Sequence, residues 1–266
     1  MRKKRKLLRF LFNLAIVCTI IGFYAFKIEP NLLITREIEI EINESPQNEL
    51  KIVLFSDTHF KEDTSEAYVQ NIVDTINEQQ GDVVMFLGDL IDDQAKSPVD
   101  IDYITQKFSE IDGLKLAIMG NHDYGGNAER TYKEIMSDSD FEILINDIVS
   151  VGDITIVGVD DMIFGEPNYD ILNQFTNADN VVLMLHEGDM IEDLDKTFDI
   201  AFSGHSHGGQ IAIPYIKDWI MPAGTRNYVS GLYEEDKIYV TSGIGTTFID
   251  ARLFCKPEIV VVTLKY

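Results

Sequence analysis

The sequence predicts an α/β domain behind one apolar N-terminal segment. Short β-branched runs recur, each followed by a polar loop and then by a stretch of helical period. All five histidines stand directly behind such runs. With 266 residues, 45% apolar and 25% charged, the chain can bury a core in one large domain or two small ones, which excludes a disordered or low-complexity polymer.

The first element is the apolar stretch 10–26, which carries no charge and one amide, Asn13. Its length reaches the lower edge of the ~17–25 residues that cross a hydrocarbon core. Arg2, Lys3, Lys4, Arg5, Lys6 and Arg9 precede it. The positive-inside rule therefore predicts a single-pass cell-membrane protein, N-terminus cytoplasmic and the remainder extracytoplasmic. A cleaved signal peptide is the alternative; against it, the stretch exceeds the usual ~7–15 apolar residues and no small-x-small site follows. Three segments result: a basic flank and transmembrane anchor (1–27), a juxtamembrane connector (28–48) and a folded domain (49–266). Within the connector, 34–42 alternates apolar and charged residues and suits an edge strand.

Strands are expected at 51–55, 83–87, 115–119, 154–159, 181–185 and 200–202. Helices are expected at 65–79, with Val69, Ile72, Val73 and Ile76 on one face and Thr64 as N-cap, and at 100–110, 127–137 and 169–176. Beyond Gly208 the pattern turns to strands and turns, at 211–213, 237–241 and 259–264. Cys18 and Cys255 have no plausible disulfide partner. Against 22 Lys and Arg stand 45 Asp and Glu, a net charge of -23 with no basic stripe beyond the first residues, so nucleic acid is not an expected partner.

The chemistry lies in five strings: SDTH (56–59), GDLID (88–92), GNHD (120–123), LHEGD (185–189) and GHSH (204–207). Loops leaving the C-terminal ends of strands in an α/β sheet gather at one rim. A single histidine there is more often a core or surface residue than a ligand. Confinement of every histidine to such loops, beside glycines that permit close backbone approach, favours a metal cluster instead. Oxygen and imidazole donors without thiolates suit manganese first, with iron or zinc as alternatives. The donors outnumber what one tetrahedral zinc uses, so two divalent ions are expected. Such a pair can hold a bridging hydroxide and bind phosphate oxygens, which makes a serine or cysteine nucleophile unnecessary.

In order, these strings resemble the five signature blocks of the calcineurin-like metallophosphoesterases. The C-terminal third, with GHSHGGQI (204–211), YVTSGIGT (239–246), Arg252 and Pro257-Glu258, resembles the membrane-associated bacterial YkuE/YaeI-type phosphodiesterase branch. The resemblance implies a four-layer α/β/β/α sandwich and dimetal-dependent hydrolysis of phosphodiesters or phosphomonoesters. It implies that Asp57, His59 and His207 bind one ion, that Asp89 bridges, and that Asn121, His186 and His205 bind the other. His122 matches the histidine that protonates the leaving alkoxide. Asp92 resembles the carboxylate that orients His122, a role for which Asp93 and Asp123 compete. Asn121 resembles a residue touching both metal and phosphate. Thr58 and Gly188 depart from the leucine and proline more usual in this pattern.

Arg252 is a candidate phosphate ligand because a guanidinium suits phosphoryl oxygens; a structural arginine under a turn is the other reading. Asp160 and Asp161 are expected to cap a turn. Two rival functions remain: a pyrophosphatase acting on nucleotide-sugar or lipid-linked precursors, and a non-catalytic metal-binding scaffold.

Overall fold

The computed structural model describes residues 2–92, 99–125, 128–176, 179–194, 197–214 and 221–266. The chain opens with helix α1 (Arg2–Phe23), a π turn at Tyr24–Ile28 and a 3-10 turn at Glu29–Asn31. Next come β1 (Ile34–Glu41), β2 (Glu49–Phe55), α2 (Glu66–Glu78), β3 (Val83–Phe86), α3 (Ile101–Ser109) and β4 (Leu114–Ala117). The single-turn helix α4 (Asn121–Tyr124), α5 (Ala128–Asp138), β5 (Glu142–Ile143), β6 (Asp147–Val151) and β7 (Ile154–Gly158) follow. The chain closes with β8 (Asn180–Met184), β9 (Ile200–Ser203), β10 (Gly231–Tyr233), β11 (Ile238–Val240) and β12 (Glu258–Lys265).

These strands form two six-stranded sheets, ordered β1-β12-β2-β3-β4-β5 and β10-β11-β9-β8-β7-β6. The strands β2, β3, β4 and β5 run parallel, as do β7, β8, β9 and β11. Alternation along each strand divides the core. Ile52 and Leu54 meet Ile156, Val182 and Phe202 between the sheets, while Val53 and Phe55 face Ile72, Phe108 and Ile135 from the covering helices. On the outer face of the second sheet, Val181 and Leu183 pack against Leu172, Met190 and Ile191 from 3-10 turns at Tyr169–Gln174 and Gly188–Asp193. The layers are thus helices, sheet, sheet and short helical turns.

Three local expectations change. Ser65, not Thr64, caps α2, its hydroxyl accepting from the Tyr68 N–H at 3.3 Å. Thr64 instead closes the preceding turn, accepting from Lys61 N–H at 2.8 Å. The stretch expected as a helix at 169–176 is a 3-10 turn, and the strand expected at 211–213 reduces to one bridge, Ile211 to Leu253. Residues 34–41 do form an edge strand, parallel to β12. Helix α1 buries none of its residues and is long and apolar enough to cross a membrane.

Phe55 is fully buried, its ring centroid 4.8 Å from Phe86 and 5.9 Å from Phe108. The substitution Phe55→Ala is expected to cost about 3–5 kcal/mol of unfolding free energy. Chemical denaturation checks this; a loss below about 1 kcal/mol would contradict that packing.

Candidate metal centre

Each of the five strings follows a strand that ends at the same rim. The first two zip together, with Asp57 N–H donating to Gly88 carbonyl at 2.9 Å and His59 N–H to Asp89 carbonyl at 3.1 Å. The second and third are joined through Asp123. Its buried carboxylate accepts from the N–H groups of Asp89 at 2.7 Å, Leu90 at 2.9 Å and Gly120 at 2.9 Å. The second sheet reaches across to the same loops. His186 Nδ1 donates to Leu87 carbonyl at 2.7 Å, and the His205 N–H donates to both Asp57 oxygens at 3.0 Å.

The backbone at this rim is strained. Asp57, His59, Asp89, His205 and His207 hold φ values of 53°, 43°, 60°, 63° and 50°. Each such left-handed residue costs about 1–3 kcal/mol and persists only where its surroundings over-determine it. Here the cross-loop hydrogen bonds do so.

Two sets of donors result. Ligand atoms of Asp57, His59 and His207 lie within 4.8 Å of one another, and so do those of Asp89, His186 and His205. Asp89 Oδ2 stands between the sets, 3.4 Å from His59 Nε2 and 3.3 Å from His186 Nε2. Asn121 Oδ1 and His207 Nδ1 are buried without a hydrogen-bond partner, a costly state that a cation would relieve. Oxygen and imidazole donors with no thiolate fit hard or borderline divalent ions.

Electrostatics point the same way. Burial pushes Asp57 above the usual carboxylate range, and the Asp89 charge adds to the rise against the pull of His186. Burial also opposes ionisation of Asp89, but the facing His186 and His59 imidazoles outweigh it and hold Asp89 well below that range. Burial, then the neighbouring His186, brings His205 down to about 4. Burial, then His59, brings His207 well below its ordinary value. Both imidazoles are therefore neutral at neutral pH, the form that binds metals.

His122 lines the cavity beside these donors, with Nδ1 donating to the Asp92 backbone carbonyl at 2.8 Å. The Asp92 carboxylate is more distant, its Oδ1 3.8 Å from His122 Nδ1 and 3.5 Å from His59 Nδ1. The carbonyl is thus what orients His122, and the carboxylate faces His59. Asp93 lies outside the described residues.

Asp123, weighed above only as a rival of Asp92, proves to be the clasp of two loops, and burial followed by the Asp89 charge pushes it up to about 7. Glu187 was not singled out, although it stands in the fourth string. It is buried beside Asp161 and His186, and burial, then its contact with Asp161, pushes it up to about 9. Asp161 caps its turn as expected, Oδ1 accepting from Ile163 N–H at 3.0 Å.

Residues 50–209 match the calcineurin-like phosphoesterase family profile. The chain belongs to the calcineurin-like phosphoesterases. It is 34% identical over 260 residues to the metallophosphoesterase YkuE of Bacillus subtilis (strain 168), covering 91% of this chain and 89% of that one. To the phosphodiesterase YaeI of Escherichia coli (strain K12) it is 25% identical over 224 residues, covering 80% and 82%. A transmembrane protein with metallophosphoesterase domain from Danio rerio is 27% identical over 257 residues, with 86% of this chain spanning 56% of that protein. As a calcineurin-like phosphoesterase of the YkuE/YaeI branch, the chain is a metal-dependent phosphoester hydrolase.

One expected site residue of this phosphoesterase is corrected. Arg252 is fully buried. Its guanidinium donates to the carbonyls of Gly245 at 3.1 and 2.7 Å, Ser242 at 2.9 Å and Cys255 at 3.2 Å, and approaches Cys255 Sγ at 3.7 Å. With its five N–H groups taken, Arg252 ties a turn together and has none left for phosphate.

The substitution Asp89→Asn removes the negative charge of a carboxylate that faces both donor sets and replaces one of its oxygens with an amide nitrogen. Elemental analysis of the purified variant is expected to find both cations depleted. Unchanged stoichiometry and affinity would contradict a shared role for Asp89.

Proposed function

We propose that this hydrolase acts on phosphodiesters with two divalent cations, manganese foremost. Asp57, His59 and His207 would hold one, and Asn121, His186 and His205 the other, with Asp89 shared between them. The position of Asp89 Oδ2, 3.4 Å from one set's imidazole and 3.3 Å from the other's, is the observation that carries this reading. Bound cations supply water of lowered pKa and neutralise charge on phosphoryl oxygens.

The chain's own groups do the rest. With its Nδ1 proton engaged by the Asp92 carbonyl, His122 keeps Nε2 for the leaving oxygen, to which it delivers a proton. Asn121 can turn its carbonyl oxygen to a cation and its amide N–H to a phosphoryl oxygen. A cavity of about 510 Å³ beside these groups has room for an organic substituent on phosphate, which supports a diester substrate. The apolar stretch 10–26, preceded by six basic residues, supports a single-pass anchor with the domain outside the cytoplasm.

The variant His122→Ala is expected to retain its metals and lose about 10²–10⁴-fold in kcat on bis(4-nitrophenyl) phosphate. An unchanged rate would reject His122 as the acid. Two phosphorylated products from a nucleotide-sugar pyrophosphate, with no diester turnover, would favour the pyrophosphatase reading. A metal-loaded chain that cleaves neither would favour a scaffold.

A further inference from the structure

The metal loops form only part of the cavity wall; Ile163, Phe164, Ile211, Pro222, Phe248 and Ile249 contribute an apolar part. Phe164 is 63% exposed and Phe248 is 91% exposed, a costly placement for large apolar side chains in water. Phe248 and Phe254, the latter 75% exposed, also both hold φ 60°, which bulky residues rarely adopt.

Side-chain hydrogen bonds hold the backbone at Phe164 and on either side of Phe248. Gln210 Nε2 donates to the carbonyls of Thr247 at 3.2 Å and Ile249 at 2.7 Å, and its Oε1 accepts from Thr247 N–H at 3.0 Å. Asp161 Oδ1 accepts from the N–H groups of Ile163 at 3.0 Å and Phe164 at 2.5 Å. Display of large apolar groups toward solvent on a hydrogen-bonded backbone points to an apolar phase they enter.

The same rim is tied to the base of α1. Arg252 N–H donates to Ala25 carbonyl at 2.9 Å, and Cys255 N–H donates to the buried Glu29 carboxylate at 2.5 Å. Ile211 both lines the cavity and packs on the cluster of Ala25, Ala251 and Leu253. A helix able to cross a membrane therefore ends beside the aromatic mouth of the cavity.

We propose that the substrate is a phosphoester carried on a membrane lipid. Phe164, Phe248 and Ile249 enter the bilayer surface, and the lipid's apolar portion lies along the apolar wall while its phosphate reaches the metal loops. This rests on the phosphodiesterase reading above and on α1 as the anchor. In the reaction, water oxygen bonds to phosphorus and the P–O bond to the leaving alcohol breaks. One proton goes to that alcohol and the other to solvent.

The test uses the full chain, manganese-loaded, in phosphatidylcholine nanodiscs. Hexadecyl 4-nitrophenyl phosphate and ethyl 4-nitrophenyl phosphate share a leaving group and differ in the apolar chain. Each buried methylene contributes about fourfold, so burying a few gives an expected hexadecyl preference of about 100-fold in kcat/KM. Combining Phe164→Ser with Phe248→Ser is expected to shrink that preference at least about tenfold. Equal kcat/KM for the two esters, or a preference the substitutions leave intact, would overturn the proposal while the phosphodiesterase reading stands. No turnover of either ester would overturn that reading and this one with it. A second readout does not depend on catalysis. Trp219 is the single tryptophan, so Trp219→Phe with Phe248→Trp places one fluorophore at the rim. Nanodiscs with brominated acyl chains are expected to quench it, and full fluorescence would overturn the membrane contact.

Discussion

The rim depends on one buried carboxylate, Asp57, reaching from the first sheet to the second. Both its oxygens accept from the His205 N–H at 3.0 Å, which fixes the loop after β9 against the loop after β2. The side chains between the sheets set their separation, and this contact sets their alignment at the edge where the histidines stand. Close approach demands small residues around it. A Cβ on Gly243 would sit 2.8 Å from Asp57 Cβ, and one on Gly204 would collide with the Ser56 hydroxyl. The glycines among the histidine strings are thus part of the same constraint that makes Asp57 a cross-sheet tie.

That arrangement concentrates acid in a dry place. Asp57, Asp89 and Asp123 are all buried, and two of the three are pushed above their ordinary range, burial being the largest influence. Buried charge is costly unless paired or coordinated. The His186 and His59 imidazoles outweigh that cost at Asp89, while His205 and His207 favour neutrality. Divalent cations would complete the balance, which couples metal binding to the stability of the rim. The strained backbone at five site residues belongs to the same balance.

Much of the fold was legible because its central strands are largely buried, so β2, β3, β4, β7, β8 and β9 read as short, mostly apolar runs. The edge strand β6, half-exposed throughout, offers no comparable run, and β10 is three residues long. The segment 169–174 has the spacing of a helix but too few residues to sustain one. At the site, the rule that strand-end loops converge brought the five strings to one rim, and the family resemblance singled out Asp57, His59, Asp89, Asn121, His186, His205 and His207 within them. It did not distinguish the carbonyl of Asp92 from its carboxylate as the partner of His122. Nor did it foresee that Arg252 would be consumed by carbonyls of its own turn, because burial depends on contacts between distant segments. The apolar wall has the same origin: Phe164, Ile211 and Phe248 come from loops far apart in the chain.

The most direct measurement of two cations sharing one pocket is electron paramagnetic resonance of the full chain titrated with manganese. Binding of two equivalents with an exchange-coupled multiline spectrum is expected when Asp89 serves both ions. A single equivalent, or two equivalents giving the six-line signal of isolated manganese, would contradict the paired centre on which the phosphodiesterase reading stands.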